Sequence, residues 1–370
     1  MPRQATVKAA VAVLALALVG AACTGGGEPE SQKGTGTKVG QAGGGSLLDA
    51  VKQRGTLRCG VNQTVPGFGF LNPSTNQIEG FDIDFCKAIA AAVVGDASKI
   101  ELTPVSPEQR FDALRAGQYD VLVRNTTWTS SRDGSLGISF THPNFYDAQG
   151  MMVRKGEFKS VGGMKDTTIC HTAGTTTELN LADYFQELDI SFKPLVFEEN
   201  PEVQRAFIAK QCDGWTSDKS QLAGIRSEWP QSEGGPDALE ILSDTMSKEP
   251  LAPAVVDGDT KWYDAVNWVV NGVIMAEELG VTGQNVQQMA SNPPNPTVAA
   301  LLGVVFKGGE PVDSGLGIDN DFMQDVIKAV GNYGEIYDRH VGAQGLDLER
   351  GLNALWNADP PGIQYAIPFR

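Results

Sequence analysis

This 370-residue chain is poor in the residues that several common functions require. It has three histidines, His142, His171 and His340, far apart in the sequence, and no two of its five cysteines form a C-x-x-C pair. Neither residue type supplies the close spacing of a zinc site, and no cofactor is expected. Positive charge is scarce: 29 Lys and Arg stand against 45 Asp and Glu, for a formal net charge of −16. A surface that acidic argues against nucleic acid or anionic lipid as the main partner. No nucleophile elbow, phosphate loop or paired-carboxylate motif appears; Gly43-Gly44-Gly45 lacks a following Lys-Ser/Thr and reads as linker. There is no internal repeat, and no apolar run is long enough for a stable membrane span.

The longest such run, Ala9 to Ala22, covers fourteen residues behind Arg3 and Lys8, and no acidic residue precedes Glu28. That is the layout of a secretory signal over residues 1–22. Gly20-Ala21-Ala22 before Cys23 resembles a bacterial lipoprotein cleavage box, with Gly20 where that box usually carries Leu. Cys23 is therefore expected to carry a lipid that holds the protein to the membrane; ordinary cleavage with Cys23 as a free thiol is the alternative. From Thr24 to Ser46 the chain is almost all small and polar, with no aromatic residue, so it cannot bury enough surface to fold. We expect a flexible tether within residues 23–54. Loss of residues 1–22 removes two basic residues and no acidic ones, deepening the net charge from −16 to −18. The whole pattern places the protein outside the cytoplasm.

The remainder, about 320 residues, has the size at which a single core divides into two. Its elements alternate. Thr56 to Val61 is a short apolar strand, and Gly80-Phe81-Asp82 opens a helix with Phe85, Ile89, Ala92 and Val93 on one face. Asp82 and Asp84 are placed to cap that helix. Strand Ile100 to Pro104, helix Pro107 to Ala116 and strand Tyr119 to Val123 complete a βαβαβ opening, for which a mainly parallel sheet is expected. From Thr167 to about Ser247 the same grammar restarts, with strands near Thr168, Leu195 and Cys212. Trp262 to Leu279 and Asp321 to Tyr337 each read as one amphipathic helix. In this layout Cys59 neighbours Cys86 and Cys170 neighbours Cys212, so two disulfides with these pairings are expected.

At Gly80-Phe-Asp-Ile-Asp-Phe-Cys-Lys-Ala-Ile-Ala90 the chain resembles the signature of the family 3 extracellular solute-binding proteins, which capture polar amino acids for ABC importers. Longer motifs resemble the general L-amino-acid-binding proteins within it. These are Asn125-Thr-Thr-Trp-Thr-Ser-Ser-Arg-Asp133, Gly174-Thr-Thr-Thr-Glu-Leu-Asn-Leu-Ala-Asp-Tyr-Phe185, Lys248-Glu-Pro-Leu-Ala-Pro253, Lys328-Ala-Val-Gly-Asn-Tyr-Gly-Glu335 and Arg350-Gly-Leu-Asn-Ala-Leu-Trp-Asn357. The resemblance implies an α/β, two-lobed, type II periplasmic-binding-protein-like fold with two crossover segments and a ligand cleft between the lobes. Lobe 1 would hold residues 55–147 and 251–370, and lobe 2 residues 148–250. The implied partners are a free L-amino acid and the permease subunits of an ABC importer, with the receptor itself a monomer.

A free amino acid demands a forked cation or N–H donors for its carboxylate and oxygen acceptors for its ammonium. The resemblance assigns Arg132 and Thr127 to the α-carboxylate and Asp218 to the α-ammonium. Thr176, in the turn before a helix, would add a hydroxyl and an N–H at a positive helix end. Asn62, Phe68 and Asn125 complete the candidate set. Each has a plain structural alternative: Arg132 pairing with a surface carboxylate, Thr175 to Thr177 as a helix cap, Asp218 as the cap of a helix near Ser220. Trp128, next to Thr127, reads as a pocket wall or a buried core residue, with core preferred. Basic-amino-acid receptors of the family tend to carry an acidic residue and an aromatic ring where this chain has Asn62 and Val65, so a broad polar specificity is expected. The rival is an enzyme of the same fold acting on a cyclic carboxylic acid, for which His171 is the candidate acid, unless it is a solvated loop histidine. A receptor's sensor domain is a third class, disfavoured by the lack of a second membrane segment or signalling domain.

Overall fold

The computed structural model describes residues 45–309 and 313–370. The expected signal, Cys23 and most of the tether lie outside the described residues. Two five-stranded sheets form the frame. In the first, strands run in the order Ile100–Pro104, Leu57–Val61, Val121–Leu122, Ala254–Val256 and Ile138–Phe140. The second runs Phe192–Phe197, Thr167–Thr172, Gly214–Asp218, Gln149–Arg154 and Leu239–Ile241. In each the first three strands are parallel and the fourth is antiparallel to its neighbours, so the sheets are mixed rather than mainly parallel. The antiparallel strands come from chain that has crossed between the sheets. Both crossings meet in a two-stranded ribbon, Phe145–Asp147 against Glu249–Leu251, with Asp147 directly opposite Glu249.

Helix Phe81–Val94 is the centre of the first unit, buried along nearly its whole length. It starts at Gly80 (φ 141°), where an added Cβ would lie 2.2 Å from the Phe68 carbonyl oxygen, so no other residue fits. The Cys59–Cys86 disulfide ties its second turn to the strand Leu57–Val61. A Cys170–Cys212 disulfide fastens the second sheet in the same way. Helix Thr260–Glu278 lies alongside, capped by Asp259 and burying Trp262, Val266, Val269, Val270 and Val273. Full burial of each such side chain contributes roughly 1.5–3 kcal/mol.

The structure corrects several expectations. Residues 47–54 do not belong to the tether: Leu47–Arg54 is a helix, capped by Ser46 and pinned by Leu48 and Val51 in the core. The chain expected to be helical from Asp321 to Tyr337 breaks at Gly331 (φ 87°) into Phe322–Val330 and Tyr333–His340, the second opened by an Asn332/Glu335 capping box. Neither Asp82 nor Asp84 caps the helix they begin. The Asp82 carboxylate instead accepts the Asn125 N–H at 2.8 Å, and Asp84 accepts from His340, Arg339 and Lys87. Phe68 is core, 1% exposed and edge-on to Phe145. Trp128 is not core: it is 39% exposed, because its ring stacks on Phe140 from the outside. His171 is not a solvated loop residue, since the strand Thr167–Thr172 carries it into the interior at 1% exposure.

Candidate functional site

Strands of both sheets end at one cleft, the place where open α/β sheets leave room for a ligand. After Val121–Leu122 the chain brings Arg124, Asn125 and Thr127 to the cleft, and helix Arg110–Arg115 adds Arg110 from the same side. From the second sheet, Thr172 and the turn to Thr176 follow one strand, Asn200 follows another, and Ser217 and Asp218 end a third. Gln221 sits one turn into the next helix. Gly174 (φ 68°) lets its turn approach the opposite wall, where an added Cβ would be 2.9 Å from Glu108 Cα.

The walls touch. Asn125 Nδ2 donates to Gln221 Oε1 at 3.1 Å and to Asp218 Oδ2 at 3.4 Å. Arg110 Nη2 donates to the Gly174 carbonyl at 3.3 Å, and the Thr127 and Thr176 hydroxyl oxygens are 3.5 Å apart. They leave a cavity of about 20 Å³, room for little more than a water molecule. This is a closed cleft, and anything larger enters only if the walls part.

Charge in the cleft is buried and separated. Arg110, Arg124, Arg132 and Asp218 are each 9% exposed or less, yet among the described residues none of the four has an ion-pair partner. Burial pushes the Asp218 carboxyl well above the usual carboxylate range, and the nearby Asp147 and Glu249 charges push it further. Asp147 is raised to about 6, again by burial first, against hydrogen bonds from Ser220 and Ala148. Burial lowers Arg110 strongly, helped by the charges of Arg132 and Arg124. Arg124 falls to about 10 through burial, opposed by Glu199 and Asp82.

Of the seven residues expected in the ligand site, four line this cavity: Asn125, Thr127, Thr176 and Asp218. Asp218 stands at the start of helix Lys219–Ser227, but its side chain makes no capping bond and faces the cleft instead. Arg132 lies just behind the wall, in helix Ser130–Ser135, donating from Nη1 to the Thr127 carbonyl at 2.9 Å with its guanidinium over the Phe111 ring. Asn62 stands behind Asn125 and donates to its Oδ1 at 3.1 Å. Phe68 does not line the cavity, for the reason given by its core packing.

Several residues went unsuspected. Arg110 and Arg124 form part of the wall, and Arg110 had one visible signal: it shares the buried stripe of its helix with Ala113 and Leu114, where an apolar residue is the rule. Glu249 is 2% exposed and accepts four side-chain donors, the hydroxyls of Thr127, Thr176 and Ser247 and the amide of Asn180. Four donors fill the acceptor sites of one carboxylate. Because those donors come from both walls and from the crossing, Glu249 fastens the cleft at its ribbon.

The model of the bacterial extracellular solute-binding proteins, family 3, matches residues 57–281, more than half of the chain. The chain belongs to this family. Among relatives of this family 3 protein, the general L-amino acid-binding periplasmic protein AapJ of Rhizobium johnstonii is 47% identical over 328 residues, 88% of this chain and 93% of that one. The glutamate/glutamine/aspartate/asparagine-binding protein BztA of Rhodobacter capsulatus is 43% identical over 88% of this chain and 94% of its own. A solved Brucella ovis structure, described as an ABC transporter/periplasmic binding protein with glutathione bound, superposes with a TM-score of 0.82 at 42% identity, covering 88% of this chain and 100% of that one. The family 3 chain thus has the two-lobed type II fold, and it is a binding protein rather than an enzyme. His171, the candidate acid of the enzyme reading, is sealed in its strand and does not line the cavity.

Proposed function

We propose that this protein captures free L-amino acids, with broad tolerance of polar side chains, between two closing lobes and delivers them to the permease of an ABC importer. The observation that carries the reading is the set of buried, unpaired ionisable groups of both signs on facing walls: Arg110 and Arg124, with Arg132 just behind them, on one side and Asp218 on the other. Unpaired buried charge is costly, and a zwitterion of matching polarity compensates it at both ends. Asp218 takes the ammonium, while Arg132, Thr127 and the N–H groups at Thr176 take the carboxylate, with Asn125 held in place by Asn62. Each lobe contributes, so binding and closure are one linked event. The lobes are residues 47–147 with 251–370, and 148–250, the first now including helix Leu47–Arg54, and the ribbon Phe145–Asp147/Glu249–Leu251 is the hinge. A monomer held to the membrane by lipidated Cys23 completes the arrangement. The names of the relatives, amino-acid-binding proteins and a glutathione-bound one, support this class of ligand.

A thermal-shift screen against the twenty amino acids and glutathione tests the reading. A ligand at a hundred times its Kd stabilises the folded state by about 2.7 kcal/mol. At least one L-amino acid is expected to raise the melting temperature in proportion to the logarithm of its concentration; no shift with any of them would refute the assignment.

A further inference from the structure

Resting on the division into lobes above, we infer that a second ligand site lies across helix Lys219–Ser227 from the cleft, in a cavity beside the hinge ribbon, and that it takes an amphipathic molecule with an apolar body and one negative charge. The helix has two working faces. Asp218 and Gln221 meet the cleft, while Lys219, Ala223 and Arg226, spaced to share the opposite face, line a separate cavity of about 400 Å³. That volume lies in the range of sites for small organic ligands, which are largely apolar with a few placed polar groups. Its walls come from both lobes and from the crossing. Ala223, Arg226 and Ile241 belong to the second lobe, Tyr337 and Leu352 to the first, and Phe145 to the ribbon. The helix backbone itself meets the first lobe at Gly224, where an added Cβ would lie 2.4 Å from the Pro66 carbonyl oxygen.

Most of the charge around this cavity is already engaged. Lys219 Nζ donates to the Ser243 carbonyl at 3.2 Å and to Thr245 Oγ1 at 2.8 Å, Arg350 pairs with Glu277 at 2.9 Å, and Asp147 accepts from Ser220 and from the Ala148 N–H. Arg226 differs: it is half-buried and has no ion pair or side-chain hydrogen bond among the described residues. A free guanidinium on an apolar wall offers its fork to a carboxylate or sulfonate, and Phe145, Tyr337 and Leu352 offer contact to an aromatic or aliphatic body. The exposed Glu349 carboxylate also lines the cavity and disfavours a second negative charge. Opening of the cleft changes the spacing between the second-lobe wall and Tyr337 and Leu352. A molecule shaped to this cavity therefore binds the closed form better, and it strengthens capture in the cleft by the same factor as the cleft ligand strengthens its own binding.

Fluorescence titration with anilinonaphthalene sulfonate and with its uncharged relative phenylnaphthylamine tests this, on the wild-type protein and on Arg226→Glu and the cavity-filling Ala223→Trp. The wild type is expected to bind the sulfonate saturably at one site. Arg226→Glu is expected to weaken the sulfonate at least tenfold while changing phenylnaphthylamine less than threefold, and Ala223→Trp to weaken both at least tenfold. Saturating L-glutamine is expected to tighten the sulfonate at least threefold. No saturable binding by the wild type, or binding that both variants leave unchanged, would overturn the site. Sulfonate affinity indifferent to glutamine, where calorimetry shows glutamine bound, would overturn its link to closure. If Ala223→Trp fails to fold, Leu352→Ser, at an exposed position, takes its place and is expected to weaken both dyes at least threefold. Failure of every amino acid to bind would instead remove the receptor reading, while the two dyes still decide the site.

Discussion

Replacing Asp218 by Asn separates what the cleft does for a ligand from what it does for the fold. The variant keeps the shape and an oxygen acceptor beside Asn125 but removes the buried negative charge. In the proposed complex that charge faces the ligand's ammonium, and truncating one partner of a buried hydrogen-bonded charge pair costs about 2–5 kcal/mol, roughly 30-fold to a few thousand-fold in affinity. Without ligand the sign reverses. Asp218 has a raised folded pKa, caused by burial and by Asp147 and Glu249, so its contribution to stability is full below the unfolded value of 3.8 and is lost as pH rises. Asp147, raised to about 6, and Asp82, raised to about 7, act in the same direction, whereas Asp84, shifted down by His340 and Lys87 against the effect of its burial, acts only in acid. The ligand-free protein is therefore expected to melt at lower temperature as pH is taken from 5 to 8. Asp218→Asn is expected to make that slope shallower and to raise the melting temperature at pH 8 by a few degrees. Calorimetry and differential scanning on the same samples check both arms. A variant that binds as well as wild type, or that melts lower at pH 8 when ligand-free, would refute the reasoning.

Two further outcomes follow from the packing. Replacing both Cys59 and Cys86 by Ser opens a loop of 27 residues, and both Cys170 and Cys212 one of 42, at a cost of about 3.5 and 4 kcal/mol on the chain-entropy model; chemical denaturation of each double variant is expected to show losses near these, and none in ligand affinity. Leu48→Ala removes a fully buried side chain from helix Leu47–Arg54 and is expected to cost about 2–5 kcal/mol by denaturation, whereas a neutral result would return residues 47–54 to the tether.

What the sequence revealed is local or rests on long matched motifs. Asn125, Thr127, Thr176 and Asp218 were legible because each lies in or beside a motif whose spacing is fixed by a strand end and a helix start. The disulfide partners were legible because each pair falls on adjacent elements of one βαβ unit. Arg110 and Glu249 were not, since their meaning arises only where distant segments meet: Arg110 beside the 174 turn, Glu249 beneath hydroxyls more than seventy residues away. Phe68 and Trp128 were exchanged for a related reason. Apolar character says that a ring is buried by something, but only the packing of Phe145 on Phe68 and the outward stacking of Trp128 on Phe140 decide which ring is inside. The break at Gly331 had a local signal, a glycine followed by Asn332 and Glu335 at capping-box spacing, which the continuous apolar stripe on either side obscured.

The central claim is that the closed cleft grips both charged ends of one amino acid. Calorimetric titration with L-glutamine, its α-amide and its N-acetyl derivative tests it most directly, since the amide lacks the carboxylate charge and the acetyl derivative the ammonium. Saturable one-to-one binding of glutamine is expected, with a loss of at least thirtyfold for each derivative. A derivative that binds as tightly as glutamine would contradict it.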